Sequence, residues 1–178
     1  DQMPPNMRET LYFKDDDSRL SFLQGNYITL TNMKEKDVDR IIKMQLAPIN
    51  ISVQTTNPEL RCKMLNNRFA GEKLKLDQLY EGHVEMNGQI VCCKGVNDGK
   101  ELERTMDDLS KYLPFMRSVS VVPAGITKYR DNLYPLELFI LCCDLSRMDF
   151  LFHLYLWMEL RRNQFYSAAD ADFHVFSV

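Results

Sequence analysis

The chain has 178 residues, 45% of them hydrophobic and 26% charged, with a net charge of −3 at pH 7. That is the size and make-up of one globular domain able to bury its own core, and it excludes a disordered or collagen-like chain. With 22 Lys and Arg against 25 Asp and Glu, a broad basic surface for nucleic acid is excluded too, leaving only a local patch open.

Tyr27-Ile28-Thr29-Leu30-Thr31 is β-branched and aromatic and predicts a strand. Asn32, with Glu35 three residues on, predicts a capped helix whose face is Val38, Ile41, Ile42 and Leu46 and which Pro48 stops. Ile49 to Thr55 alternates strictly, with Ile49, Ile51 and Val53 on one face and Asn50, Ser52 and Gln54 on the other. Asn57-Pro58-Glu59 carries a cap, a first-turn proline and a first-turn acid, so a helix starts there and runs through Leu60, Met64 and Leu65. A short helix over 72–80 follows, with Gly82 able to end it in a left-handed conformation. Val84 to Cys93 predicts the third strand. Asp98 and Glu101 predict a capping box for a helix with the stripe Leu102, Met106, Leu109 and Leu113, ended by Pro114. Ser118 to Pro123 predicts the fourth strand.

The order β-α-β-α-β-α-β argues for parallel strands joined by right-handed crossovers. Either an open doubly wound sheet or part of a (β/α) barrel satisfies it, and both place chemistry at the carboxyl ends of strands. Those ends are Thr31-Asn32, Thr55 to Asn57, Cys93 to Asp98 and Pro123 to Lys128.

Few groups there are acids, bases or nucleophiles. Of five cysteines, four form the adjacent pairs Cys92-Cys93 and Cys142-Cys143. An odd, clustered set argues for a reducing cytoplasm and against a disulfide framework. No cationic segment with an apolar core opens the chain, so no signal peptide is expected. Leu136 to Trp157 is the longest apolar stretch, but Glu137, Asp144, Arg147, Asp149 and His153 interrupt it and predict a buried helix, not a membrane span. The three histidines lie at no ligand spacing to a Cys or a carboxylate, and there is no Gly-x-Ser-x-Gly, dinucleotide or Walker motif. Lys14-Asp15-Asp16-Asp17 and Gly95-Val96-Asn97-Asp98-Gly99 each read as a solvated turn or as a binding loop. Thr127-Lys128-Tyr129-Arg130 could grip a carboxylate or phosphate. Adjacent Cys92 and Cys93 must face opposite ways on a strand, and no Cys-x-x-x-Cys-x-x-Cys spacing is present.

Several segments together resemble one family. They are Asp1 to Arg8, Leu11 to Phe22, Gly25 to Asn32, Ser52 to Arg61, Gly95 to Gly99, and Thr127 to Arg130 with Leu133 to Leu136. The family is that of bacterial radical-SAM iron–sulfur oxidoreductases, which have an N-terminal PDZ-like domain, a radical-SAM barrel and a C-terminal domain of unknown function. The resemblance covers residues 1–139 and implies a partial (β/α) barrel of radical-SAM type with parallel strands, followed by a divergent, partly helical tail over 140–178. It implies a [4Fe-4S] cluster and S-adenosylmethionine in full-length members, which together generate a 5′-deoxyadenosyl radical. It places cofactor contacts on Lys14, Asp15, Asp16, Ser52, Thr55 and Asn97, with Lys14 to Asp17 standing where such barrels carry Gly-Gly-Glu-Pro. The family's three cluster cysteines fall ahead of the segment matching Asp1 to Pro5. The resulting expectation is a fragment of the oxidoreductase that binds no cluster and is inactive alone, and whose unpaired strand edges favour self-association. The alternative is a non-catalytic barrel module that holds a small anionic ligand through Lys128 and Arg130. A small-molecule ligand is the expected partner, with neither nucleic acid nor membrane.

Overall fold

A computed structural model describes residues 4–12, 18–71, 75–125, 127–130 and 133–136. The tail over 140–178 and the Lys14-Asp15-Asp16 cluster lie outside the described residues. A 3₁₀ turn at Glu9–Tyr12 and a short helix α1 (Ser18–Leu23) come first. Then follow α2 (Glu35–Met44), β1 (Ile49–Ser52), α3 (Pro58–Leu65), a second 3₁₀ turn (Arg68–Gly71), α4 (Leu76–Glu81), β2 (Met86–Cys92), α5 (Lys100–Ser110) and β3 (Met116–Pro123).

The three strands are parallel and adjacent in chain order, β1-β2-β3. Tyr27 to Thr31 is not a full strand but meets β1 through one parallel bridge, Ile28 to Ile51. Ile28 N–H donates to Asn50 O at 3.0 Å and Ser52 N–H to Ile28 O at 2.8 Å. Leu30, at φ 60, turns the chain out of strand geometry before the ladder can extend.

The order of the strands decides between the two architectures left open by alternation alone. A doubly wound sheet reverses its strand order at a switch point and carries helices on both faces. Here each new strand is added on the same side of the last. The buried residues form one cluster, in which Ile49, Ile51, Val53, Met86 and Ile90 of a single sheet face meet Val38, Leu79, Leu102, Met106 and Leu109 of the helices. Sequential parallel strands with helices on one face are the winding of a (β/α) barrel.

Local signals account for some boundaries and not for others. Asn57 Oδ1 accepts from the N–H groups of Glu59 and Leu60 at 3.2 and 3.3 Å, so the cap read from the sequence forms. Asn32 does not cap α2. There the Asp37 carboxylate accepts from Lys34 N–H at 2.9 Å, and left-handed Gln45 (φ 48) closes the helix before Pro48 is reached. Gly82 ends α4 at φ −77, not in the left-handed region, which His83 occupies instead (φ 55). Glycine is needed at 82 for space: a Cβ would lie 2.6 Å from Ile42 Cγ1 where α4 closes on α2. The expected capping box of α5 is also absent. Asp98 Oδ1 accepts from Gly95 N–H at 2.9 Å, and Glu101 reaches across to Thr55.

Candidate functional site

Strand alternation gives the sheet two chemically distinct faces. One is the apolar face packed under the helices. On the other, β1 presents Asn50 and Ser52, β2 presents Asn87, Gln89 and Val91, and β3 presents Ser118, Ser120 and Val122. The register aligns them in rows across the sheet: Asn50, Asn87 and Ser118, then Ser52, Gln89 and Ser120. All are half-buried except Ser120, which is exposed. None of these side chains is ionisable.

The first row is closed on itself. Asn50 Nδ2 donates to Gly25 O at 2.7 Å, Asn87 Nδ2 to Asn50 Oδ1 at 3.0 Å, and Ser118 Oγ to Asn87 Oδ1 at 2.9 Å. This chain of bonds spans the three strands near their amino ends and fixes their register. In the second row, the side chains of Ser52, Gln89 and Ser120 make no hydrogen bond to another described residue. Thr29, next to Ile28 at the bridge, borders this row, and its hydroxyl pairs with that of Thr31 at 2.8 Å.

The carboxyl rim is tied together by side-chain hydrogen bonds. Gln54 leaves β1 with φ 65, and its Oε1 accepts from Val91 N–H at 2.7 Å. Asn97, 1% exposed, ties the ends of two strands together. Its Nδ2 donates to Gln54 O at 2.8 Å and Val91 O at 3.1 Å, and its Oδ1 accepts from Cys93 N–H at 2.7 Å. Thr55, fully buried, donates to Glu101 Oε1 at 2.7 Å and accepts from Asn57 N–H at 3.0 Å. Thr56 donates to Asp108 Oδ2 at 2.7 Å, which pins the same loop to α5. Of the residues singled out as cofactor contacts, Ser52 therefore lies on the open polar face, while Thr55 and Asn97 lie behind it with partners inside the protein.

Lys128 and Arg130 follow β3 past this rim. The Lys128 ammonium lies 5.1 Å from the Tyr129 ring centroid, and Arg130 donates to the carbonyl of Tyr134. Burial pushes the Cys93 thiol pKa up, Arg130 pulls it down and Asp98 pushes it up again, so these three groups share one end of β2.

Arg61 was not singled out for a role by its sequence context. It is 3% exposed. Its Nε donates to Val53 O at 3.0 Å, Nη1 to Ala70 O at 2.8 Å, and Nη2 to Thr29 O at 2.8 Å and Ser52 O at 3.2 Å. Burial pulls its pKa down to about 10, so the guanidinium stays charged at neutral pH. It is solvated by main-chain carbonyls of three separate segments. The polar rows of β2 and β3 were also missed, although alternation in Met86-Asn87-Gly88-Gln89-Ile90 and Ser118-Val119-Ser120-Val121 carries the signal.

An iron–sulfur cluster needs three or four converging thiolates. Among the described residues no group of three or more His, Cys, Asp or Glu side chains could hold a metal ion. Cys62 lies on α3 with its thiol toward Arg68 O at 3.4 Å, Cys92 is buried in the core, and Cys93 is half-buried at the strand end. The described cysteines do not fit a cluster. No helix among the described residues is long and apolar enough to cross a membrane.

The winding of the sheet and its polar face define a barrel-type α/β protein, and comparison with known families gives the particular one. The chain belongs to the radical-SAM-like domain family, whose model matches residues 1–119. No curated protein matches it. Full-length members of a radical-SAM family use a [4Fe-4S] cluster and S-adenosylmethionine.

Proposed function

We propose that this chain is part of the barrel of a radical-SAM iron–sulfur oxidoreductase and forms the wall that faces S-adenosylmethionine and substrate. The observation that supports this most is the half-buried, uncharged polar face on parallel strands of a chain matched by the family model. On this reading the Asn50–Asn87–Ser118 row closes one end of the chamber, and Ser52 lies in the row open to ligand. Thr55 and Asn97 act by holding the rim in place. Lys14, Asp15 and Asp16 are proposed as further cofactor contacts on the family resemblance alone. Barrel chambers of this kind exclude water and orient the cofactor, which supplies the chemistry.

The cluster ligands come, on this proposal, from a three-cysteine segment that is not among the described residues. A PDZ-like domain and a C-terminal domain accompany the barrel in the complete oxidoreductase. Alone, this chain is inactive. Reconstitution with ferrous iron and sulfide tests this. We expect the chain to retain no cluster, and a longer form with a Cys-x-x-x-Cys-x-x-Cys segment joined ahead of Asp1 to retain one. About four irons per chain and cleavage of S-adenosylmethionine by the chain itself would overturn the reading.

A further inference from the structure

The chain beyond β3 doubles back across the carboxyl end of the sheet. Ala124 N–H donates to Cys92 O at 2.8 Å, so the return starts at the joined ends of β2 and β3. Burial raises the Cys93 thiol pKa and Arg130 opposes it, so the Arg130 charge lies near the sulfur that follows β2. Further on, Tyr134 lies under Lys63 of α3, whose ammonium is 5.6 Å from the ring centroid. Because α3 follows β1, this path runs from β3 past β2 toward the helix of β1, against the order of the strands. The pieces 127–130 and 133–136 brace each other: Leu133 N–H donates to Arg130 O at 2.9 Å, and the Arg130 guanidinium donates to Tyr134 O. The contact that reaches α3 joins two exposed side chains, Lys63 and Tyr134. Segments that open to admit a ligand are drawn from the weakly held parts of a fold.

We infer that the pieces 127–130 and 133–136 form a strap that lies closed over the carboxyl end of β2, and that it opens by letting go of α3 at the Lys63–Tyr134 contact. Closed, it holds Arg130 beside Cys93. Open, it carries that cation away and uncovers the strand end, so the contact on α3 governs entry to the rim. That the rim is the cofactor end rests on the function proposed above; the strap itself rests on these contacts alone.

The full chain is treated in parallel with trypsin and with iodoacetamide at one pH, and the products are mapped by mass spectrometry. Trypsin cuts after Lys128 only when that segment is released. Iodoacetamide reports access to Cys93, with buried Cys92 as the control at the same strand end. Lys63→Ala and Tyr134→Ala each speed both reactions about two- to fivefold, the worth of a cation–π contact of about 0.5–1 kcal/mol at an exposed site. The double variant is no faster than either single one. Lys63→Arg, which keeps a cation over the ring, stays at the native rate. Labelling of Cys92 stays the same in all of them. Unchanged rates overturn the strap. A rise in one reaction without the other overturns it too, because the released segment would then not be what covers β2. So does labelling of Cys92 that rises in step with Cys93, because the whole strand end would then be opening. These reactions involve neither cluster nor S-adenosylmethionine, so the strap can fail while the proposed function stands. Failed reconstitution of the longer form would remove that function and leave the strap untouched.

Discussion

At the scale of single residues, Arg61 and Gly82 show how much depends on one position. Removing the Arg61 guanidinium leaves the carbonyls of Thr29, Ser52, Val53 and Ala70 without its donors. Arg61→Ala is expected to destabilise the fold by roughly 3 kcal/mol or more, because buried acceptors lose charge-assisted bonds. Arg61→Lys recovers only part, since an ammonium cannot reproduce the planar fork. Denaturant midpoints of the two variants check the order. Gly82→Ala drives a methyl into Ile42 and is expected to cost roughly 1–3 kcal/mol by overpacking. Adding Ile42→Ala, which removes all three side-chain atoms that the new methyl would meet, should give back part of that cost, so that the two changes are non-additive in a double-mutant cycle. Asp108 carries a pH dependence. Its hydrogen bond to Lys111, with help from Thr56, holds its carboxyl below the ordinary range against the opposing effect of burial. A depressed carboxyl contributes stability that is complete above its unfolded pKa and is lost as pH falls through the folded one. Urea midpoints should therefore drop below about pH 4 more in the native chain than in Asp108→Asn.

At the scale of elements, the loop after β1 and helix α5 are joined by a polar seam: Thr55 to Glu101, Thr56 to Asp108, and Thr56 N–H to Thr105 Oγ1 at 3.3 Å. Thr55→Val and Glu101→Gln should each destabilise, with a coupling of about 1 kcal/mol between them in the double mutant. This seam also shows where the sequence was readable. The alternation of Ile49, Ile51 and Val53 and the stripe of Leu102, Met106 and Leu109 predicted both elements, because burial on one face imposes a period. The cap at Asn57 was readable because its partners are two and three residues away. The cap expected at Asp98 failed because Gly95 and Thr55 compete for the same carboxylates, one across a turn and the other across the fold. Asn97 was legible as a turn residue and as a family motif. Its three bonds to the ends of two strands were not, because strand carbonyls leave no mark in a sequence.

At the scale of the whole molecule, β3 pairs with one strand only among the described residues. Such an edge offers its backbone groups to another chain. The isolated chain is expected to self-associate with rising concentration, read by light scattering; a concentration-independent monomer with a cooperative melt would count against this. The barrel winding was half visible beforehand. Alternation of elements gave parallel strands, whereas which face the helices take depends on packing between distant segments. Arg61 has a consequence at this scale too. Its guanidinium bonds to residues 29, 52, 53 and 70, so peeling away any one of these segments leaves a buried cation short of acceptors. The segment from Tyr27 to Thr31, β1 and the 3₁₀ turn after α3 should then detach together, with their amides exchanging against deuterium as one cooperative block. In Arg61→Met that block would break into independently opening pieces.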